Sequence, residues 1–494
     1  MFKYICLFFL FFTIRVFSQN DIPGLIYKGL DYSYNFQTQQ AEDCFQQIIN
    51  KYPEDPRGYH YKSSIFLWTY LSNKDKSDYD RFMKLSDIAI YKAEKALERN
   101  EKDENALYVL GTNYGFRAMV FAKENSSMKA AWAAKNSNKY LNKTLEFYPY
   151  NNDAYLGKGL FSFAFSFVPG VFKWALNIAG LSGSKEEGIK FLIKAYKYGR
   201  FSKTEAAFYL SQIYSDMLVD YSSASEYLSP IIKKYPQNTL FKYSYAVVLV
   251  KDRKPQEAEK LLRSVINTNN QKFQQVTSFS NFLLGDIYFH WNDFKSAISY
   301  YQKFLTTTKD IDYSGIAYLR TALSYEVLKN RQEAQRNYIL ARNGNLDLSD
   351  DAYAKRKGEY YYDHPLSEDE ISMIKASNNI ESGKFSEAYS SLMQLSQRLN
   401  SEKLKGEALQ YLSDVSFELG KTNESLEYAN RALKINIKEE KWIKPFSFYY
   451  GARAFLKNGN KAMATRYLDE AEDLSDYDFK SKLTGYIKGL RTKI

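Results

Sequence analysis

The side chains able to do acid–base, metal or thiol chemistry are few. There are three histidines, His60, His290 and His364, and two cysteines, Cys6 and Cys44, in 494 residues. A metal or phosphate site needs such groups at set spacing, and the chain has no H-x-x-x-H, no C-x-x-C and no glycine-rich phosphate loop. His290 follows Asp286 by four residues, which reads as a contact on a helix surface rather than a metal site. His364 lies beside Glu359, Asp363 and three tyrosines and could line a polar pocket; a turn before Pro365 accounts for it more simply. Asp350 and Asp351 read as a loop pair with nothing to raise either pKa, as a general acid would require. No catalytic, cofactor-binding or metal residue is assigned, no cofactor is expected, and the chain is read as a non-enzyme. Cys44 sits in AEDCFQQII on an apolar helix face and reads as a small buried hydrophobe.

Formal net charge is +11, falling to +9 if Lys3 and Arg15 leave with a signal segment, since no acid leaves with them. The cations alternate with Asp and Glu along helices, as on a solvated face, and no basic run resembles a nucleic-acid patch. Binding chemistry is better represented than catalysis. Aromatic residues make up 17% of the chain, with 44 Tyr, while Gly and Pro are sparse, which favours long helices.

The elements that position these side chains are legible from Ser280 to Leu305, SNFLLGDIYFHWNDFKSAISYYQKFL. Gly285 and Ala297 fall where paired helices must approach closely, and Tyr288, Phe294, Tyr301 and Phe304 fill the space beside them. This is the pattern of a tetratricopeptide repeat, whose hairpins stack because one alone cannot bury its apolar face. Ala258, Ala297 and Ala334 follow at offsets of 39 and 37, and Ser425–Ala464, Tyr428–Tyr467 and Ala432–Ala471 all at 39. Aromatic-proline endings recur at Tyr52-Pro53, Tyr148-Pro149 and Tyr235-Pro236, each closing a helix that proline forbids to continue. Ser367 to Glu370 reads as a capping box. The fold class is all-α: a superhelical solenoid of about ten to twelve antiparallel helix pairs.

Met1 to Ser18 has a cationic start and an apolar run too short to span a bilayer, and reads as a signal peptide ending before Gln19, with an uncleaved anchor as the alternative. The chain is therefore expected to be exported, in the periplasm or associated with the envelope. From Leu160 to Leu181 the only charge is Lys173. Pro169-Gly170 breaks this stretch, so an extra helix inserted into a repeat is the first reading. A surface helix meeting lipid or an apolar ligand through Phe161, Phe165, Phe167, Phe172 and Trp174 is the second, and a membrane span the third.

Gly159-Leu160-Phe161, Ser166, Pro169, Leu176, Gly180, Ser182-Gly183 and Gly188, followed by the helix at Gly188–Leu192, resemble the insert of the tetratricopeptide-39 and inclusion-body-clearance (mitochondrial outer-membrane) family. The resemblance implies a helical solenoid with a role in protein or lipid homeostasis, and brings no catalytic residues. The export segment departs from it.

The expected organisation is a signal peptide at 1–18, N-terminal repeats over 19–200 with the apolar insert 159–183, and a central array over 201–345. An irregular connector at 346–366 and a C-terminal array at 367–494 with a capping helix follow. Candidate groove residues for a protein or peptide partner are Tyr243, Tyr245, Asn281, Tyr318, Arg320, Tyr325, Tyr449 and Arg453, since tyrosine and arginine give large contact at low entropic cost. Core packing is the competing reading for the aromatic ones. Membrane contact is expected, if anywhere, through 160–181.

Overall fold

The computed structural model describes residues 22–167, 181–268, 270–437 and 439–494. The segment read as a signal peptide, and Phe172 and Trp174, lie outside these residues. The described residues are helical throughout, with no strand among them. They divide within two helices into two compact units. One runs to Trp68 and resumes over Lys76–Gly157; the other holds Thr69–Asp75 and Lys158–Ile494.

The first unit is built from α1 (Ile22–Tyr34), α2 (Thr38–Lys51), most of α3 (Pro56–Asn73), α4 (Lys76–Arg99), α5 (Glu104–Lys123), α6 (Ser127–Phe147) and the start of α7 (Ala154–Phe165). Its aromatic-proline turns share one geometry. Tyr52 and Tyr148 sit at φ −134° and −132°, ψ 68° and 69°, the extended backbone that a following proline imposes. Their N–H groups close the preceding helix on Ile48 and Thr144 at 2.8 Å, and their carbonyls accept from Asp55 and Asn151 at 3.0 and 2.9 Å. Asp55 and Asn151 then cap the next helix through their own side chains. Tyr235 and Asn238 repeat the device in the second unit.

The core of the first unit holds Phe45, Phe82, Leu107, Leu110 and, as read from the sequence, a buried Cys44. Burial, then the nearby Asp43, raises the thiol's pKa against the pull of Lys28. His60 is buried too. Asn113 Nδ2 donates to its Nδ1 at 3.2 Å, leaving Nε2–H to donate to Thr112 Oγ1 at 3.3 Å, and its ring stacks on Phe116.

The second unit continues with α8 (Lys185–Tyr198), α9 (Lys203–Gln212), α10 (Tyr221–Lys234), α11 (Thr239–Lys251), α12 (Pro255–Thr268) and α13 (Gln274–His290). Next come α14 (Phe294–Thr307), α15 (Ser314–Val327), α16 (Arg331–Leu340) and α17 (Ser349–Asp363). The chain ends with α18 (Glu368–Glu381), α19 (Phe385–Arg398), α20 (Glu402–Glu418), α21 (Thr422–Leu433), α22 (Ile443–Lys457), α23 (Lys461–Glu472) and α24 (Lys480–Arg491). α9 runs on as a π-helical turn, Ile213–Met217. α24 begins at Lys480, after Phe479 turns left-handed at φ 63°.

The insert residues explain themselves by contact. A Cβ on Gly159 would lie 2.9 Å from the carbonyl oxygen of Gly188, and one on Gly188 would lie 2.7 Å from Phe163 N, so α7 and α8 touch backbone to backbone. Gly285 does the same for the Tyr301 ring between α13 and α14.

The stretch read as an irregular connector carries the 15-residue helix α17. Asp350 and Asp351 are in its first turn, not in a loop. Asp351 is fully buried and accepts from Ile316 N and Asn345 N, both at 2.9 Å. Burial raises its pKa against the pull of those N–H groups, so the expectation that nothing would do so fails. This carboxylate seats α17 on α15.

Beyond α17 the second array returns alongside the first in reverse order. Asn378 of α18 donates to the Phe289 carbonyl and to Asn292 Oδ1 at the end of α13, both at 2.8 Å. Arg253, in the turn after α11, pairs with Asp414 of α20 at 2.5 Å. Gly489 of α24 lies against the Leu218 carbonyl after α9. The terminal helix, expected to be a cap with a wet outer face, thus has one flank docked on an earlier repeat. The docking edge is made of hairpin turns. Val219, Arg253 and Asn292 are the left-handed residues of three successive turns, at φ 54°, 54° and 60°. Left-handed backbone is costly for a β-branched residue such as Val219.

Candidate partner-binding site

The groove candidates lie on four helices of the second unit, α11, α13, α15 and α22, and the structure sorts them by how they are engaged. On α13, Asp286 accepts from Tyr301 Oη at 2.6 Å and pairs with Arg320 of α15. Burial, then the charge of Asp286, holds the Tyr301 hydroxyl well above its ordinary pKa. Asp286 is thus partnered by Tyr301 and Arg320, where the sequence suggested a helix-surface contact with His290. Asn281 is buried and donates to the Thr277 carbonyl of its own helix.

A second cluster lies where the arrays meet. Asp414, 2% exposed, takes Arg253 at 2.5 Å, Arg453 at 3.3 Å and Tyr450 Oη at 3.2 Å. Arg453 also reaches Glu418 at 2.8 Å. Tyr449 is buried against Tyr486 of α24. Around this cluster, burial opposes ionisation of Glu381, but Arg253 and Lys482 outweigh it and keep its pKa below the usual value. His290 is held down to about 4 by burial first and Arg320 second. Lys482, beside Tyr486, Glu381 and Asp350, is pushed up to about 12.

Further along, Glu440 accepts from Arg356, Lys357 and the Trp442 indole at 2.9, 2.9 and 2.8 Å. Burial would raise its pKa; Lys357 and Arg356 win and bring it to about 2. Nearby Glu407 goes the other way, to about 7, because burial dominates over Lys357.

Tyr243, Tyr245, Tyr318 and Tyr325 are half-buried. They pack at the margins of the core clusters around Leu284 and Phe304. Of the apolar candidates, Phe165 is buried at 7%, Phe161 is half-buried and Phe167 is 50% exposed. Phe165 is a packing residue. His364 stacks on Tyr360 at the end of α17 and bonds that residue's carbonyl, which is the turn reading.

The sequence reading missed Arg253, Asn292, Asn378, Gly383 and Asp414. One signal was available: the turn positions held by Val219 and Arg253 are glycine in three later hairpins, at Gly383, Gly420 and Gly459.

In the first unit a surface cavity of about 440 Å³ lies between Tyr52–Pro56 and Ala96–Asn105. Its carboxylates are already used, Asp55 on Arg57 and Asp103 on the Ala106 N–H. Among the described residues no group of His, Cys, Asp and Glu is placed to hold a metal ion, and no helix is long and apolar enough to cross a membrane.

The solved structures similar to this chain include a tetratricopeptide repeat protein from Parabacteroides merdae, at 16% identity over 58% of this chain and 98% of that one, TM-score 0.25. They also include the Cut9-Hcn1 hetero-tetramer of APC/C, at 12% identity over 97% and 96%, TM-score 0.26. A third is the IFIT1 monomeric mutant with Gppp-AAAA, at 14% identity over 93% and 96%, TM-score 0.31. No curated protein matches the sequence. A tetratricopeptide repeat family model matches residues 25–55, the α1–α2 hairpin. The model for Iml2/Tetratricopeptide repeat protein 39 matches residues 65–339, more than half of the chain, and spans the glycine contacts between α7 and α8. Repeats of this kind make interaction scaffolds, and the chain belongs to the Iml2/Tetratricopeptide repeat protein 39 family.

Proposed function

We propose that the chain is an exported, non-catalytic scaffold of the bacterial cell envelope that binds a protein or peptide partner through the second unit. The observation that carries this reading is the set of half-buried tyrosines, Tyr243 and Tyr245 on α11 and Tyr318 and Tyr325 on α15, the first helices of two hairpins of the second unit. Tyrosine is enriched at interfaces because it offers large area with few rotors. Export rests on Met1–Ser18. The second reading, contact with lipid or an apolar ligand through 160–181, is favoured by Phe167, an aromatic half exposed at the end of α7.

Photo-crosslinking separates the two. Probes go at Tyr245 and at Phe167, in place of the buried Phe165, and the envelope fraction is recovered. A discrete protein captured at Tyr245 supports the scaffold; lipid at Phe167 with nothing at Tyr245 replaces it with the second reading. Sequencing the N-terminus of the recovered chain tests export: Gln19 is the expected first residue, and a chain retained in the cytoplasm with Met1 refutes it.

A further inference from the structure

The solvent face of α6 carries a straight stripe that its own fold does not use. Met128, Trp132, Lys135, Lys139 and Lys143 fall within about 80° of one another on a helical projection, over roughly 22 Å of helix. The buried side chains of α6, Ala133, Ser137, Leu141 and Thr144 among them, take the opposite face. Met128 is 88% exposed and Trp132 55%, the latter held only along one edge by a T-shaped contact with Tyr114. Lys135, Lys139 and Lys143 are exposed and have no carboxylate within ion-pair distance among the described residues. Glu146, at the far end of the stripe, is the only acid on the helix.

Some cations elsewhere in this unit do hold a carboxylate. Lys76 pairs with Asp80, Lys95 with Glu98 and Arg117 with Asp87. An unpaired cationic stripe that ends in two large exposed apolar side chains has the chemistry of a helix lying on a bilayer. Indole and thioether enter the headgroup boundary while ammonium groups meet lipid phosphates.

We propose that α6 docks this protein on an anionic membrane surface, with Met128 and Trp132 inserted and Lys135, Lys139 and Lys143 on the headgroups. This contact is independent of the tyrosine surface and of the apolar insert.

The chain from Gln19 to Ile494 is mixed with vesicles of phosphatidylcholine alone and of phosphatidylcholine with phosphatidylglycerol. Binding is read by co-sedimentation and by Trp emission. Binding only to the anionic vesicles, reversed by salt, is expected. Lys135→Glu, Lys139→Glu and Lys143→Glu together should weaken it by well over roughly a hundredfold, since losing three cations that each contribute about a fivefold factor already gives that much and the new carboxylates are repelled by the surface. The corresponding Gln triple should weaken it less, and Met128→Ser with Trp132→Ala should abolish the blue shift. These side chains are exposed, so circular dichroism should be unchanged. Equal binding to neutral vesicles overturns the proposal, as does undiminished binding by the Glu triple, which would place the contact in the insert. Retention on polyglutamate without vesicle binding overturns it in favour of an acidic protein.

Discussion

Replacing Gly383 by alanine tests whether the two arrays of the second unit are docked, and Gly420 provides the control. Both residues occupy the same place in a hairpin turn, at φ +72° and +76°. Either substitution forces an L-residue into the left-handed region, at about 1 kcal/mol. Around Gly420 nothing lies within 4 Å of the new Cβ, so that is the whole cost. At Gly383 the Cβ would sit 2.7 Å from the carbonyl oxygen of Arg253. That atom is backbone, in a turn that is itself left-handed, so relief requires the arrays to part. Crowding of this kind adds about 1–3 kcal/mol, for a total of about 2–4. Repeat arrays do not unfold as one two-state unit, so the readout should be local. Amide exchange in α18 and in the turn after α11 should accelerate in Gly383→Ala and not in Gly420→Ala. Arg253→Ala should then cost less in the Gly383→Ala background than in the parent, because the contact it serves is already open. Equal exchange in the two glycine variants, or additive costs with Arg253→Ala, would refute the docked arrangement.

Asp414→Ala should destabilise the second unit by about 3 kcal/mol, because it leaves Arg253 and Arg453 partly buried without their shared carboxylate; thermal denaturation reads this. His60 gives the first unit a pH dependence. Burial holds its pKa at about 3, against about 6.5 for a free imidazole, so between those values the unfolded chain binds a proton that the folded one refuses. Stability is therefore full above about pH 6.5 and falls as pH drops, by about 2 kcal/mol at pH 5. His60→Gln should flatten that slope in a urea titration. The Cys44 thiol should resist thiol reagents in the native chain from Gln19 and react once denaturant is added, and labelling at the native rate would contradict its burial. Ser367→Ala should fray α18 at a cost of about 1 kcal/mol, since both halves of the capping box are formed.

Local chemistry was legible. The starts of α5 and α11 lie in their own residues, because the side chains of Asp103 and Asn238 cap them. The aromatic-proline turns were legible as stops, and the structure adds that the Asx residue after them starts the next helix. The glycines at 159 and 188 were visible as a family pattern, but their reason is spatial: each clears the other's backbone. What local pattern could not carry is the return of the second array. Arg253 and Asp414 are 161 residues apart. Asp351 looked like half of an exposed acidic pair, and only its receptor, the Ile316 and Asn345 N–H groups, shows it to be buried.

The same long-range contacts divide the candidate site into residues that hold the unit together and residues free to meet a partner. A carboxylate arriving at Arg320 would have to displace Asp286, leaving that acid and the Tyr301 hydroxyl without their strongest partner in a poorly hydrated place. A cation arriving at Asp414 would have to unseat Arg253 and separate the arrays. Each exchange gives up a desolvated pair to form another, which returns little net affinity. Tyr245, Tyr318 and Tyr325 impose no such exchange: covering their exposed halves removes apolar area from water and leaves every ion pair in place. The arginines and buried acids therefore belong to the architecture of the second unit, and under the proposed function the tyrosines on its margin are the residues left to meet a partner.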